Sequence, residues 1–161
     1  LYLFAATRLP AAWALAEAGI RTGELAKVTV GDVDLEGGIV QAPGCRSAVA
    51  RTVPLTDWGV LQVGRRLRAL PANPARPLTY EGNGSDKSKQ AASCIAIADC
   101  LTRAGLGNDP AVRPVSVTAW AGRKAFEQTG RIDQVAARLG MRSLDRTARL
   151  IGLDHRTTDA S

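Results

Sequence analysis

Apolar and polar positions change period several times along this chain. Residues from about Ala11 to Ala18 are dominated by Ala, Leu and Glu, which favour helix, and Gly19 is a stop signal. Thr22 to Lys27 reads as a second, short helix with Thr22 as its N-cap. Val28 to Val33 then alternates apolar and polar positions and runs into an Asp-rich turn. After Gly37-Gly38, the segment Ile39-Val40-Gln41 reads as a strand. Its partner is expected at Thr52-Val53-Pro54-Leu55, where Pro54 confines that end to an edge. The connection between them holds Pro43, Gly44 and Ser47 and suits a hairpin loop.

Helical spacing returns at Thr56 or Asp57, one of which caps a helix running to about Leu70. Val60, Val63, Leu67 and Leu70 share one face of it, with Arg65, Arg66 and Arg68 largely off that face. Pro71 to Pro77 is a proline-rich surface connection, and the stretch from Glu81 to Ser85 is a second loop. Ser85 opens a long helix to about Ala104, stopped by Gly105 and Gly107. Beyond a loop marked by Pro110 and Pro114, Ser116 or Thr118 starts a helix that ends at Gly130. Asp133 to Leu139 forms another helix, stopped by Gly140, and Ser143 opens a last one through about Ile151. There is no internal repeat and no low-complexity tract. The expected architecture is mainly α with a small antiparallel β-hairpin or sheet insert, in one domain over residues 1–161.

Composition changes this picture in one respect. The 161 residues carry 21 Lys+Arg against 15 Asp+Glu, for a formal net charge of +6. All the cations except Lys27, Lys87, Lys89 and Lys124 are arginines, whose planar fork matches phosphate oxygens. A basic balance of this kind leans toward a polyanionic partner, although an Arg- and Ala-rich composition bias accounts for the charge equally well. Cys45, Cys94 and Cys100 are too few and too widely spaced for a disulfide framework and suit reduced thiols in a cytoplasmic protein. With His155 as the single histidine, no His-based metal cluster can be built, and no metal or cofactor is expected. No apolar run approaches the roughly 20 residues of a membrane span. The chain opens at Leu1 inside a helix-rich segment and reads as part of a longer protein.

The chemistry-bearing pattern is Gly19-Ile20-Arg21-Thr22-Gly23-Glu24-Leu25 followed by Asp32-Val33-Asp34-Leu35, then Arg51-Thr52-Val53-Pro54-Leu55, then Arg138-Leu139-Gly140. In order and spacing, from about Trp13 to Leu150, it resembles the catalytic domain of tyrosine recombinases of the phage-integrase type. The resemblance implies double-stranded DNA as partner, DNA recombination or integration as activity, possible homo-oligomers on DNA, association with the bacterial nucleoid, and a separate N-terminal DNA-clamping domain missing from this chain. Members of that family attack a phosphodiester with a tyrosine, while two arginines and a lysine neutralise the charge that develops on the phosphate oxygens.

Carried over residue by residue, the first family arginine is Arg21. The family lysine, five residues before the arginine of Arg-x-Val-Pro-Leu, falls on Arg46, which keeps the charge but is a poor proton donor. The family His-x-x-Arg box, anchored on Gly130, falls on Ser116 and Ala119. A second register, Trp120-Ala121-Gly122-Arg123, supplies an arginine only with a four-residue deletion before Gly130. The family Leu-Gly-His reads Leu139-Gly140-Met141, and Met141 transfers no proton. The tyrosine nucleophile falls on Leu150. The two tyrosines, Tyr2 and Tyr80, both precede the third box, and His155 near the end is a nucleophile only in principle.

The leading expectation is therefore a degenerate recombinase-like domain, a pseudoenzyme that keeps phosphate contacts but forms no covalent DNA intermediate. Arg21 and Arg46 are the remnant catalytic positions. Arg21, Arg46, Arg51 and Lys124 are candidate DNA contacts, with Arg142, Arg146 and Arg149 as a second set recurring on one helical face. Two alternatives stand beside it. One is an active recombinase with a non-standard nucleophile or one donated by a partner subunit. The other is a helical protein-interaction module in which Trp120, Val135, Leu139 and Leu144 are plain core.

Overall fold

The computed structural model describes residues 2–153. Seven helices and one small sheet follow the expected order: α1 (Tyr2–Glu17), α2 (Thr22–Leu25), β1 (Val33–Asp34), β2 (Ile39–Ala42), β3 (Arg51–Pro54), α3 (Asp57–Ala69), α4 (Asp86–Arg103), α5 (Pro114–Thr129), α6 (Ile132–Leu139) and α7 (Leu144–Leu150). A single 3-10 turn over Val30–Asp32 leads into β1. The mainly α architecture with a small antiparallel sheet is the one the residue pattern predicts.

The differences have local causes. The first helix starts well before Ala11 and carries Pro10 inside it. Its Ala11, Ala12, Ala14, Leu15 and Ala16 are all buried, so burial on several sides outweighs the loss of one backbone donor. The N-cap of α2 is Arg21, not Thr22. Helix α5 begins at Pro114, two residues before Ser116, because proline at the first helical position gives up an N–H that has no partner there anyway. The sheet has three antiparallel strands in the order β1-β2-β3, with Val33 opposite Val40 and Val40 opposite Val53.

Small alanines let α1 sit at the centre of the main core, against Val40 and Val53 of the sheet, Val63 of α3, Ile97 and Leu101 of α4, and Val117 of α5. A second core joins Ala121 and Ala125 of α5 to Val135 and Leu139 of α6 and to Ile151. Arg66, one of the three arginines expected largely off the apolar face of α3, has a fully buried side chain. Its Nε donates to the Leu78 carbonyl at 2.7 Å and its Nη2 to Glu81 at 3.2 Å. Burial lowers its pKa, and Glu81 pulls it back up. Among the described residues no helix is long and apolar enough to cross a membrane.

Candidate nucleic-acid interface

Arg21 sits where the chain turns into α2. Its backbone is extended, and its own N–H is accepted by Glu24 Oε1 at 3.0 Å, so the glutamate three residues on closes the helix start. Glu24 is wholly buried, and its other oxygen accepts the Gly44 N–H at 2.9 Å. The Gly-x-Arg-x-x-Glu spacing thus does two things. It caps a four-residue helix, and it ties the helix to the β2–β3 connection.

The same carboxylate receives Arg51. Nη2 donates to Glu24 Oε1 at 2.7 Å and Nη1 to Oε2 at 3.1 Å. The remaining N–H groups of Arg51 go to the carbonyls of Arg138 (2.6 Å), Val49 (2.8 Å) and Gly19 (2.8 Å). A guanidinium has five N–H donors, and all five are occupied. The expectation that Arg51 contacts DNA is corrected here: it has no donor left for a phosphate, and its side chain is only 9% exposed. Strand alternation carries the reason. Arg51 lies two residues before the buried Val53 and opposite the buried Ala42, so it points inward.

The hairpin tip is a tight turn in which Cys45 and Ala48 exchange backbone bonds at 2.9 and 3.2 Å, leaving Arg46 and Ser47 at its apex. Gly44 enters the turn at φ +79°, and a Cβ there would lie 2.8 Å from the Ala50 nitrogen. Arg21 Nη1 donates to the Ser47 carbonyl at 2.9 Å, and the Val49 N–H to the Gly140 carbonyl at 2.9 Å. The tip is therefore held on one side by α2 and on the other by the turn between α6 and α7.

These walls enclose a cleft of about 490 Å³ lined by Arg21, Arg46, Ser47, Gln90, Met141, Arg142, Ser143 and Arg146. Four of the seven candidate DNA contacts, Arg21, Arg46, Arg142 and Arg146, meet here from three separate parts of the chain. Among the described residues no carboxylate lines the cleft. Arg46, Arg142 and Arg146 are exposed, and among the described residues their guanidinium groups have no hydrogen-bond or ion-pair partner. Converging guanidiniums without a counter-ion are poised to take an anion through charge-assisted, forked hydrogen bonds.

The other candidates lie elsewhere. Lys124 pairs with Glu127 at 3.3 Å and borders a different cleft with Glu17, Trp120 and Arg138. Arg149 is exposed on α7 but does not line the arginine cleft. The common helical face expected for Arg142, Arg146 and Arg149 is corrected: α7 starts at Leu144, with Ser143 as N-cap, so Arg142 lies in the turn before it. Arg142 and Arg146 nevertheless reach the same cleft. The sequence reading missed Ser47, Gln90 and Ser143. Gln90 carries no local signal at all; it arrives because α4 packs on α2, just beyond which Lys27 pairs with Asp86 at 2.8 Å.

The positions assigned to bond-breaking hold groups without that chemistry. Met141 borders the cleft, and its sulfur accepts from Thr147 Oγ1 at 3.5 Å. Leu150 packs against the second core. Ser116 Oγ accepts the Arg113 N–H at 3.0 Å and faces a separate apolar cleft beside Trp13 and Trp120. Arg123, the arginine of the second register, donates from Nη1 to the Ile151 carbonyl at 2.8 Å and closes the end of α7. Tyr80 lies outside the cleft, its hydroxyl accepting the Gly84 N–H at 3.1 Å. His155 and the Tyr2 side chain lie outside the described residues.

The chain has the fold of tyrosine recombinase catalytic domains. It is similar to the XerA recombinase over 95% of its length, with a TM-score of 0.71 and 20% sequence identity. It is also similar to the integrase of the Tn1549 transposon in complex with a circular intermediate DNA, over 93% of its length, with a TM-score of 0.66 and 14% identity. The same integrase in complex with transposon right end DNA gives a TM-score of 0.62 and 15% identity over 88% of the chain. The chain spans about half the length of these proteins, 56% of the first and 55% and 53% of the other two. No protein-family model and no curated protein matches it.

Proposed function

We propose that this domain binds the sugar–phosphate backbone of double-stranded DNA through the arginine cleft and does not cleave it. The observation that carries the reading is the meeting of Arg21, Arg46, Arg142 and Arg146 in one cleft, with no carboxylate among the described residues that line it, on a recombinase fold. Guanidiniums at such a site neutralise phosphate charge and release counterions, which makes binding strongly salt-dependent and weakly sequence-specific. Support for the lack of cleavage comes from the residues at the reactive positions: Met141 in place of a proton-transferring histidine and Leu150 in place of the tyrosine. The XerA and Tn1549 proteins are a recombinase and an integrase, so a role beside DNA recombination or integration is the natural setting.

Fluorescence anisotropy of a labelled generic duplex, at low and at near-physiological salt, tests the reading. Binding that weakens steeply with salt is the expected result. No binding at low salt would sink it and leave the helical interaction module as the better account.

A further inference from the structure

We infer that the arginine cleft prefers a phosphate bearing two negative charges on one phosphorus, the terminal phosphomonoester of a DNA strand, over an internal phosphodiester. The inference rests on the DNA-binding reading and narrows it to a substrate class, the phosphorylated strand end.

Charge and donor count carry the argument. Four guanidiniums line the cleft, and no acidic side chain is among the described residues that line it. Arg21 uses one N–H on the Ser47 carbonyl, while the guanidinium groups of Arg46, Arg142 and Arg146 make no hydrogen bond within the described residues. An internal phosphodiester offers a single negative charge and two free oxygens. It would leave most of these donors empty and the repulsion among the four cations largely uncompensated. A terminal phosphomonoester carries about −1.5 to −2 charges near neutral pH and three acceptor oxygens. It is the nucleic-acid group whose charge and acceptor number best match a cluster of this size. The hydroxyl-bearing Ser47 and Ser143 and the Gln90 amide add neutral donors at the same cleft. The donors come from four places held against one another, the start of α2, the hairpin tip, the start of α4 and the segment from the α6–α7 turn into α7. Such convergence on one volume suits one compact anion better than an extended backbone track.

The test compares internally labelled linear duplexes of one sequence, with 5′-phosphate, 3′-phosphate or hydroxyl ends, and a covalently closed circle of the same sequence. At near-physiological salt, at least one phosphorylated end should bind about tenfold or more tightly than hydroxyl ends, the change of one strong charge-assisted contact. In the Arg46→Ala/Arg146→Ala double variant that ratio should fall to about one, with the melting temperature unchanged, since neither side chain is used within the fold. Equal binding of phosphorylated and hydroxyl ends overturns the inference while the closed circle still reports backbone binding. A preference that survives in the double variant overturns it as well. Binding to phosphorylated ends without binding to the closed circle upholds the inference and ends the broader backbone reading. Absence of binding to every duplex removes both.

Discussion

Glu24 and Arg51 meet as a two-point fork, carboxylate to guanidinium at 2.7 and 3.1 Å, with the acid wholly buried and the base nearly so. The pair joins α2 to β3, and through the Arg138 carbonyl it reaches the end of α6. Removing one partner leaves a buried charge and several orphaned polar groups. Glu24→Ala should therefore lower stability by roughly 3–5 kcal/mol. At about 2–4 °C per kcal/mol for a domain of this size, that is a fall of roughly 10 °C in melting temperature. Arg51→Lys should recover little of the loss from Arg51→Ala, because an ammonium cannot reproduce the fork. Denaturant titration of the three variants checks both statements.

Arg21→Ala should separate binding from stability. The side chain makes one exposed bond, to Ser47, so its removal costs about 1 kcal/mol or less. Duplex affinity should fall, and the slope of log affinity against log salt should flatten by about one. Unchanged affinity and slope would remove Arg21 from the interface. Arg51→Ala, by contrast, should act on stability and leave the affinity of the folded fraction intact.

Gly140 sits at φ +67°, and a Cβ there would lie 2.6 Å from Arg51 Nη1 and 2.8 Å from the Val49 carbonyl oxygen. Gly140→Ala combines left-handed strain with displacement of Arg51, an expected loss of about 1–3 kcal/mol or more. Because the same turn carries Arg142, the variant should also weaken duplex binding at temperatures where it is folded. A variant as stable as the parent would contradict the packing described at this turn.

A suicide substrate that traps covalent protein–DNA adducts should yield none with this domain. The positions to which the family resemblance assigns the tyrosine and the histidine are occupied by Leu150 and Met141, and Tyr80 is engaged with Gly84 outside the cleft. An adduct that disappears in Tyr80→Phe or in a His155 variant would overturn the non-cleaving reading and restore an unconventional nucleophile.

Asp86 at the start of α4 should titrate below the ordinary aspartate range, because the Lys27 ammonium hydrogen-bonds its carboxylate and attracts its charge. A depressed folded-state pKa contributes stability above the unfolded value and loses it as pH falls through the folded one. The contribution is thus present at neutral pH and fades on acidification. NMR titration of the Asp86 carboxyl should show the depression in the parent and its loss in Lys27→Ala.

Local chemistry was the legible part of this chain. The caps at Thr56, Ser85 and Ser143 could be read from sequence because each side chain bonds a backbone N–H three residues on, at 2.9, 3.3 and 3.2 Å. Arg21 and Arg46 could be placed because the Glu24 motif and the hairpin spacing are themselves local. Arg51 was misread for want of one step: its alternation with Val53 already put it on the inner face of the strand. Lys124 and Arg146 carry the same charge on similarly exposed helical positions, and nothing short of the tertiary arrangement says that one reaches the cleft and the other does not. Gln90 is the same case in reverse, a neutral side chain given a place only by the packing of α4 on α2.

The bonds from Arg51 to the Arg138 carbonyl and from Val49 to the Gly140 carbonyl join segments about ninety residues apart. A chain emerging from the ribosome therefore holds the hairpin tip long before it holds the surface that tip must lean on. Until the turn after α6 has been made, the tip that carries Arg46 is held from the α2 side alone, and Arg142 does not yet exist. The arginine cleft is among the last features to take shape during synthesis, and a nascent or truncated copy of this protein carries its positive charge without the means to focus it.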